Sequence, residues 1–237
     1  MTCSTNVVNS SLSSPPSGVY AVAVYGNNLF SAGGSGTVGL YNATTGALVN
    51  GAIATSGQLG SPDGLAISGG TLFASGSTTG NIAQFNAATG ALMNASFVTG
   101  LSEPESMAVS GNSLFVTNLS TNDVSQYNAT TGALINASFI SGLDSPTGLA
   151  VAGNSLYVVF DGLVTSPNYG QIGQYDATTG AAINAALVVV GSSASDPRGL
   201  AVVAVPEPGA AAAIAALASL ACLGWARRRP CRLTPGP

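Results

Sequence analysis

The sequence predicts an all-β fold of repeated four-stranded units, and three recurring signals predict it. A Gly-Asn type of turn before Leu occurs at Gly26-Asn27-Asn28-Leu29, Gly69-Gly70-Thr71-Leu72, Gly111-Asn112-Ser113-Leu114 and Gly153-Asn154-Ser155-Leu156, with the glycines 43, 42 and 42 residues apart. A second signal follows each of these: YNATTGAL from Tyr41, FNAATGAL from Phe85, YNATTGAL from Tyr127 and YDATTGAA from Tyr175. The third is a proline-led turn running into an apolar segment, as SPDGLAI (61–67), EPESMAV (103–109), SPTGLAV (145–151) and DPRGLAV (196–202). Self-similarity at a fixed period marks an architecture in which each unit buries its apolar faces against the next.

The second unit shows how each element arises. Strands are expected at Gly64 to Ser68, Thr71 to Ser75, Asn81 to Asn86 and Ala91 to Thr99, separated by turns at Gly69-Gly70, Thr78-Thr79-Gly80 and Ala87 to Gly90. Short Gly, Asn and Thr connections suit tight antiparallel hairpins, because some turn positions need φ > 0. In NATTG the Asn or Asp side chain can bond a backbone N–H two residues on, and the Gly can take the left-handed position. Four strands in about 42 residues make one propeller blade. Four blades are expected at about 19–60, 61–102, 103–144 and 145–195, followed by one extra strand at 199–204. Propellers close with about four to eight blades. The odd strand favours an open propeller arc over a closed ring.

Composition narrows the functional classes. Of 237 residues 46% are hydrophobic and 6% charged, with 31 Gly, which argues against disorder. There is no Lys or His, and the chain before Val205 holds only Arg198 against eight acids, so nucleic acid is excluded as a partner. Without His, Ser-His-Asp and Cys-His catalysis are excluded and no catalytic residue is assigned. Glu103 and Glu105 form the one close carboxylate pair, flanking Pro104, and read as a solvated turn. Asp63, Asp144, Asp176 and Asp196 also fall at turns and lack DxDxDG spacing, so no metal or cofactor is assigned. Cys3, Cys222 and Cys231 lie at the chain ends and encode no disulfide framework in the repeats. Tyr41, Phe85, Tyr127 and Tyr175 recur once per unit and read as core residues, with a carbohydrate-stacking platform as the alternative.

The two ends differ from the repeats. Residues 1–17 read as a disordered lead-in with neither a basic n-region nor an apolar h-region, so the true start is expected upstream. At the other end, Pro206-Glu207-Pro208 precedes an apolar run from Gly209 to Trp225 that includes Ile214, Leu217, Leu220 and Leu223, then Arg227-Arg228-Arg229, then an eight-residue tail at 230–237. The prolines hold an extended stretch around Glu207. As a helix, the apolar run spans about 25 Å against a ~30 Å hydrocarbon core, a marginal transmembrane length. The Arg cluster keeps its end in the cytoplasm.

The blade motifs, Pro-x-Gly-Leu-Ala-Val, Gly-Asn and Tyr-(Asn/Asp)-x-x-Thr-Gly, resemble the bacterial NHL-like and YVTN-like propeller repeats over roughly residues 19–204. The order Pro-Glu-Pro, apolar helix and Arg cluster over 205–229 resembles the PEP-CTERM sorting signal of Gram-negative bacteria. That resemblance implies transient recognition by an exosortase-type enzyme, which cleaves near Pro206 to Pro208. It also implies anchoring in the inner membrane with the body in the periplasm, then delivery to the cell surface or extracellular matrix. The expected function is a non-enzymatic propeller that binds or scaffolds extracellular polysaccharide. The alternatives are a secreted propeller enzyme of lyase or hydrolase type and, less favoured because its Thr residues sit in turns, an ice-binding protein.

Overall fold

The structure is a computed structural model and describes residues 18–160 and 170–189. The chain divides into units at Met1–Val202 and Val203–Pro237, and the described residues all belong to the first. The lead-in at 1–17, the extra strand at 199–204, the sorting motif Pro206 to Pro208, the anchor, the Arg cluster and the tail lie outside them. Among the described residues no helix is long and apolar enough to cross a membrane.

Among the described residues sixteen strands form four antiparallel meanders. Blade 1 comprises β1 (Val19–Tyr25), β2 (Asn28–Gly33), β3 (Thr37–Asn42) and β4 (Leu48–Ala54); blade 2 comprises β5 (Pro62–Ser68), β6 (Thr71–Gly76), β7 (Asn81–Asn86) and β8 (Leu92–Thr99). Blade 3 comprises β9 (Pro104–Ser110), β10 (Ser113–Asn118), β11 (Asp123–Asn128) and β12 (Leu134–Ile140); blade 4 comprises β13 (Pro146–Ala152), β14 (Ser155–Phe160), β15 (Gln171–Asp176) and β16 (Ala182–Val189). β5 starts two residues earlier than the sequence suggests, at the proline itself, as β9 and β13 also start at a proline, and Pro62 pairs with Gly76 at the strand's first position, where Pro is tolerated. One helical turn was not anticipated: α1 (Ser56–Leu59), where the Gln58 side chain accepts from Thr55 N at 3.0 Å and Leu59 is fully buried.

The inner strands pack in the order β1, β5, β9, β13, and β13 does not pack against β1 in the same way. Between blades lie three apolar layers built by strand alternation. Leu72, Ala74, Ala83 and Phe85 of blade 2 face Phe30, Ala32, Val38 and Leu40 of blade 1. The alternate residues Ala66, Phe73, Ile82 and Phe97 face Met107, Leu114 and Val116 of blade 3. Phe115, Val124, Phe139 and Ile140 then face Leu149, Leu156, Val158 and Tyr175 of blade 4. Tilted ring pairs, Phe73 with Phe97 at 5.6 Å and Phe115 with Phe139 at 5.2 Å, brace the second and fourth strands of blades 2 and 3. Phe85, Tyr41 and Tyr175 are buried, as core residues should be, whereas Tyr127 is only partly buried against the layer between blades 2 and 3.

The turn after each third strand is stabilised as its residues require. Asn42 Oδ1 accepts from Thr44 N and Thr45 N at 2.9 and 2.8 Å, Asn128 from Thr130 N and Thr131 N at 2.9 Å each, and Asp176 from Thr178 N and Thr179 N at 2.9 and 2.8 Å. The same turn is also fastened to the first hairpin of its own blade. Thr44, Thr130 and Thr178 hydroxyls donate to Asn27, Asn112 and Asn154 Oδ1 at 2.7, 2.7 and 2.8 Å. In blade 2 both partners are absent together, since Gly70 stands for the Asn and Ala88 for the Thr.

The glycine closing this turn is fixed by close approach to the preceding blade. Gly132 has φ 73°, and a Cβ there would lie 2.3 Å from the Phe97 carbonyl oxygen; at Gly180, with φ 74°, the Phe139 carbonyl oxygen would be 2.2 Å away. Gly132→Ala is expected to destabilise the fold by about 2 kcal/mol or more, from positive-φ strain together with separation of blades 2 and 3. Urea unfolding followed by circular dichroism measures it, and an unchanged midpoint would show that the blades do not depend on this approach.

Candidate functional site

Each inner strand begins with a bulge, and the bulges build the site. The register slips between Val19 and Ala21, between Pro62 and Leu65, opposite the step from Val116 to Asn118, and between Pro146 and Gly148. A bulge places two residues opposite one and re-aims a side chain. The displaced backbone is bonded locally in the two middle blades, where Gly64 N donates to Ser75 Oγ and Ser106 N to Thr117 Oγ1, each at 2.8 Å. Ser106 Oγ in turn accepts from Leu149 N at 3.2 Å, tying blade 3 to blade 4 beside the axis.

The residues at the bulges, Tyr20, Asp63, Glu105 and Thr147, occupy equivalent repeat positions and line one central cavity of about 710 Å³. Its other walls include Val22, Leu65, Met107 and Leu149, one per blade. With Ser61 and Ser106 also in its wall, the cavity offers one phenol, two carboxylates and three hydroxyls over an apolar ring. From 18 to 160 and from 170 to 189 the sequence has no Lys, Arg or His.

The pair expected from sequence, Glu103 and Glu105, is separated by this geometry. Glu105 lines the cavity, whereas Glu103 takes a left-handed φ of 53° before Pro104 and its Oε2 accepts from the Ser120 hydroxyl at 2.6 Å. Asp176 lies in an outer turn far along its blade, and among the described residues no three His, Cys, Asp or Glu side chains cluster. Sequence reasoning missed Tyr20 and Thr147 and gave Asp63 only a turn role. The available signal was a variable residue in a constant frame, since Pro-Asp-Gly, Pro-Glu-Ser and Pro-Thr-Gly change at the position after the proline. The same position in DPRGLAV is Arg198, outside the described residues.

A second cleft of about 480 Å³ lies beside blade 3, lined by Asn118, Asp123, Ser125, Tyr127 and Phe97 among others. Asn118 Nδ2 donates to Asp123 Oδ1 at 2.8 Å and to Ser125 Oγ at 3.0 Å. Burial pushes the Tyr127 phenol pKa up; the Ser125 hydrogen bond opposes this and the Asp123 charge adds to it.

No family model matches the chain, and no curated protein matches it. Solved structures do. The computationally designed Ika8 protein aligns with a TM-score of 0.50 at 20% identity, covering 70% of this chain and 48% of that one. The designed Ika4 protein aligns with 0.52 at 16% identity, covering 71% and 98%. The Pan2 WD40 domain of Neurospora crassa aligns with 0.54 at 8% identity, covering 70% and 51%. The chain thus spans about half the length of Ika8 and of the Pan2 domain. These likenesses carry the fold, a β-propeller of four four-stranded antiparallel blades, an architecture that often serves as a binding or scaffolding module.

Asp176 provides a pH test of the turn chemistry. Hydrogen bonds from the Thr179 and Thr178 backbone N–H groups, with further ones from the Thr179 and Asn154 side chains, hold its carboxyl below the ordinary carboxylate range. A lowered folded-state pKa contributes stability above the unfolded value and loses it as pH falls through the folded one. Asp176→Asn keeps the acceptor, as Asn42 and Asn128 do, and removes the titration. Between about pH 5 and about pH 2 the wild type is expected to lose more thermal stability than Asp176→Asn; parallel melting curves for the two proteins would contradict this.

Proposed function

We propose that this is an exported cell-surface or extracellular-matrix protein, sorted through its PEP-CTERM-like tail, whose propeller binds extracellular polysaccharide without transforming it. The observation that carries the binding is the central cavity, to which every blade contributes one polar or aromatic side chain from a bulge. Carboxylates accept from sugar hydroxyls, and a Tyr20 ring offers an apolar surface to a pyranose face. Two of the lining side chains, Asp63 and Glu105, are carboxylates, which disfavours anionic polymers. The polymer class it suits is neutral or amino-sugar polysaccharide.

The sorting half rests on the sequence order of Pro206 to Pro208, Gly209 to Trp225 and Arg227 to Arg229. Its partners are an exosortase-type enzyme, engaged transiently, and the inner membrane. The body passes from the periplasm to the surface or matrix. A second reading, a polysaccharide lyase or hydrolase, is favoured by one observation: Asp63 and Glu105 line the same cavity, as an acid and base pair would.

Affinity electrophoresis in gels containing neutral, amino-sugar or acidic polysaccharide tests the binding. Retardation is expected with the first two, with Tyr20→Ala and Asp63→Asn each weakening it about tenfold. Equal mobility of wild type and both variants overturns the cavity as the site, and release of reducing ends or unsaturated products establishes the enzyme instead. Separately, a reporter carrying residues 205–229 is expected in the membrane fraction of a Gram-negative host, and a wholly soluble reporter overturns insertion.

A further inference from the structure

The two ends of the blade series expose the two halves of one interface. Inside the chain, residues near the end of the outermost strand are buried under the next blade: Phe97 is 9% exposed and Phe139 8%. Their equivalent in blade 4, Leu187, is 41% exposed, and its neighbour Val188 is 43% exposed. At the opposite end, Met107 and Leu149 are each 5% exposed under the preceding blade, whereas their blade 1 equivalent, Val22, is 62% exposed. Val24, equivalent to Val109 and Val151, is exposed as well, and those two pack into the layers between blades. Tyr41, whose equivalents Phe85 and Tyr175 face the preceding blade, is buried over Gly39 of its own blade, but Val22 and Val24 of blade 1 and Leu187 and Val188 of blade 4 are exposed as a matched pair, related as the residues that meet at the three internal junctions.

What covers Leu187 must bring more than one strand. At the internal junctions the outermost strand is met by the Gly of the turn after the next blade's third strand: Gly132 against Phe97 and Gly180 against Phe139. The single strand expected at 199–204 corresponds by sequence to an innermost strand, and its segment carries no such turn. Blade 1 does carry it, at 42–46, with Gly46 at φ 72°. Within one copy β13 is not packed on β1 as the neighbouring inner strands are packed on each other.

We propose that the missing neighbour is a second copy of this chain. Blade 4 of each copy packs against blade 1 of the other, so that one two-fold axis closes two equivalent junctions and completes a ring of eight blades. Eight lies at the upper end of the usual propeller range. The contact is self-complementary, and closing it leaves neither face free to propagate into a filament. Each new junction continues the internal series, with aliphatic residues meeting and no charge from Val24, Leu187 or Val188.

The test is the mass of the full chain in mild detergent, by light scattering corrected for bound detergent, for wild type, Val24→Glu and Val188→Glu. Both substitutions fall at exposed positions, and circular dichroism checks that each variant keeps its sheet content. Wild type is expected at twice the chain mass, and each variant is expected as a monomer at concentrations where wild type is fully dimeric. A monomeric wild type, its faces covered by residues outside those described, overturns the proposal. So does a mass that climbs without limit on concentration, or a dimer that survives both substitutions and is therefore joined elsewhere, as through the apolar run at 209–225.

Discussion

Each blade is apolar on both faces, and that constraint governs the rest of the structure. A sheet with one apolar face can leave the other to water, but blade 2 sends Leu72 and Phe85 one way and Phe73 and Ile82 the other. Such a sheet is stable only between two neighbours, and burial of these side chains, at about 25 cal/mol per Å² of apolar surface, is what joins the blades. The junction also sets the glycine positions, because backbone approaches backbone at Gly132 and Gly180 with no room for a Cβ. At the two ends of the four described blades, Val22 and Val24 on one side and Leu187 and Val188 on the other are exposed.

Around the periphery, polar side chains act on turns within a blade. Asn112 accepts from Thr130 across two hairpins, and Asn154 from Thr178. Such exposed bonds contribute little individually, about 1 kcal/mol or less. Their effect is to hold the NATTG-type turn at the height where its glycine meets the blade before it, so a local bond serves a long-range contact. At Asn122, which has φ 58° where blades 1 and 2 have Gly36 and Gly80, an Asn replaces Gly in the left-handed region. Its Oδ1 accepts from Ser145 N at 3.0 Å, which adds a bond a glycine cannot make.

Near the axis the logic reverses. There the repeat frame is kept and one residue is free to vary, because the bulge lifts it out of the ladder and turns it to the cavity. Ser75 and Thr117 supply the hydroxyls that satisfy the displaced N–H groups. Variation among Tyr20, Asp63, Glu105 and Thr147 therefore changes the chemistry of the cavity without disturbing the junctions. Scaffold and site are separated by a single residue of register.

The sequence by itself determined the four-blade repeat, the strand pattern and the turn chemistry, since all three depend on short-range periodicity and on the φ demands of Gly and Asn. It also located the segment 205–229, whose order of prolines, apolar run and arginines is linear. It could not show that Tyr20 and Thr147 share a cavity with Asp63 and Glu105, because a one-residue slip in pairing is invisible in a pattern that reads as a simple strand. Nor could it show that Glu103 turns away from Glu105, or that Leu187 is exposed where Phe97 and Phe139 are buried. These were decided by tertiary structure, because burial at a junction depends on what the fold brings over a side chain, and no single repeat encodes that.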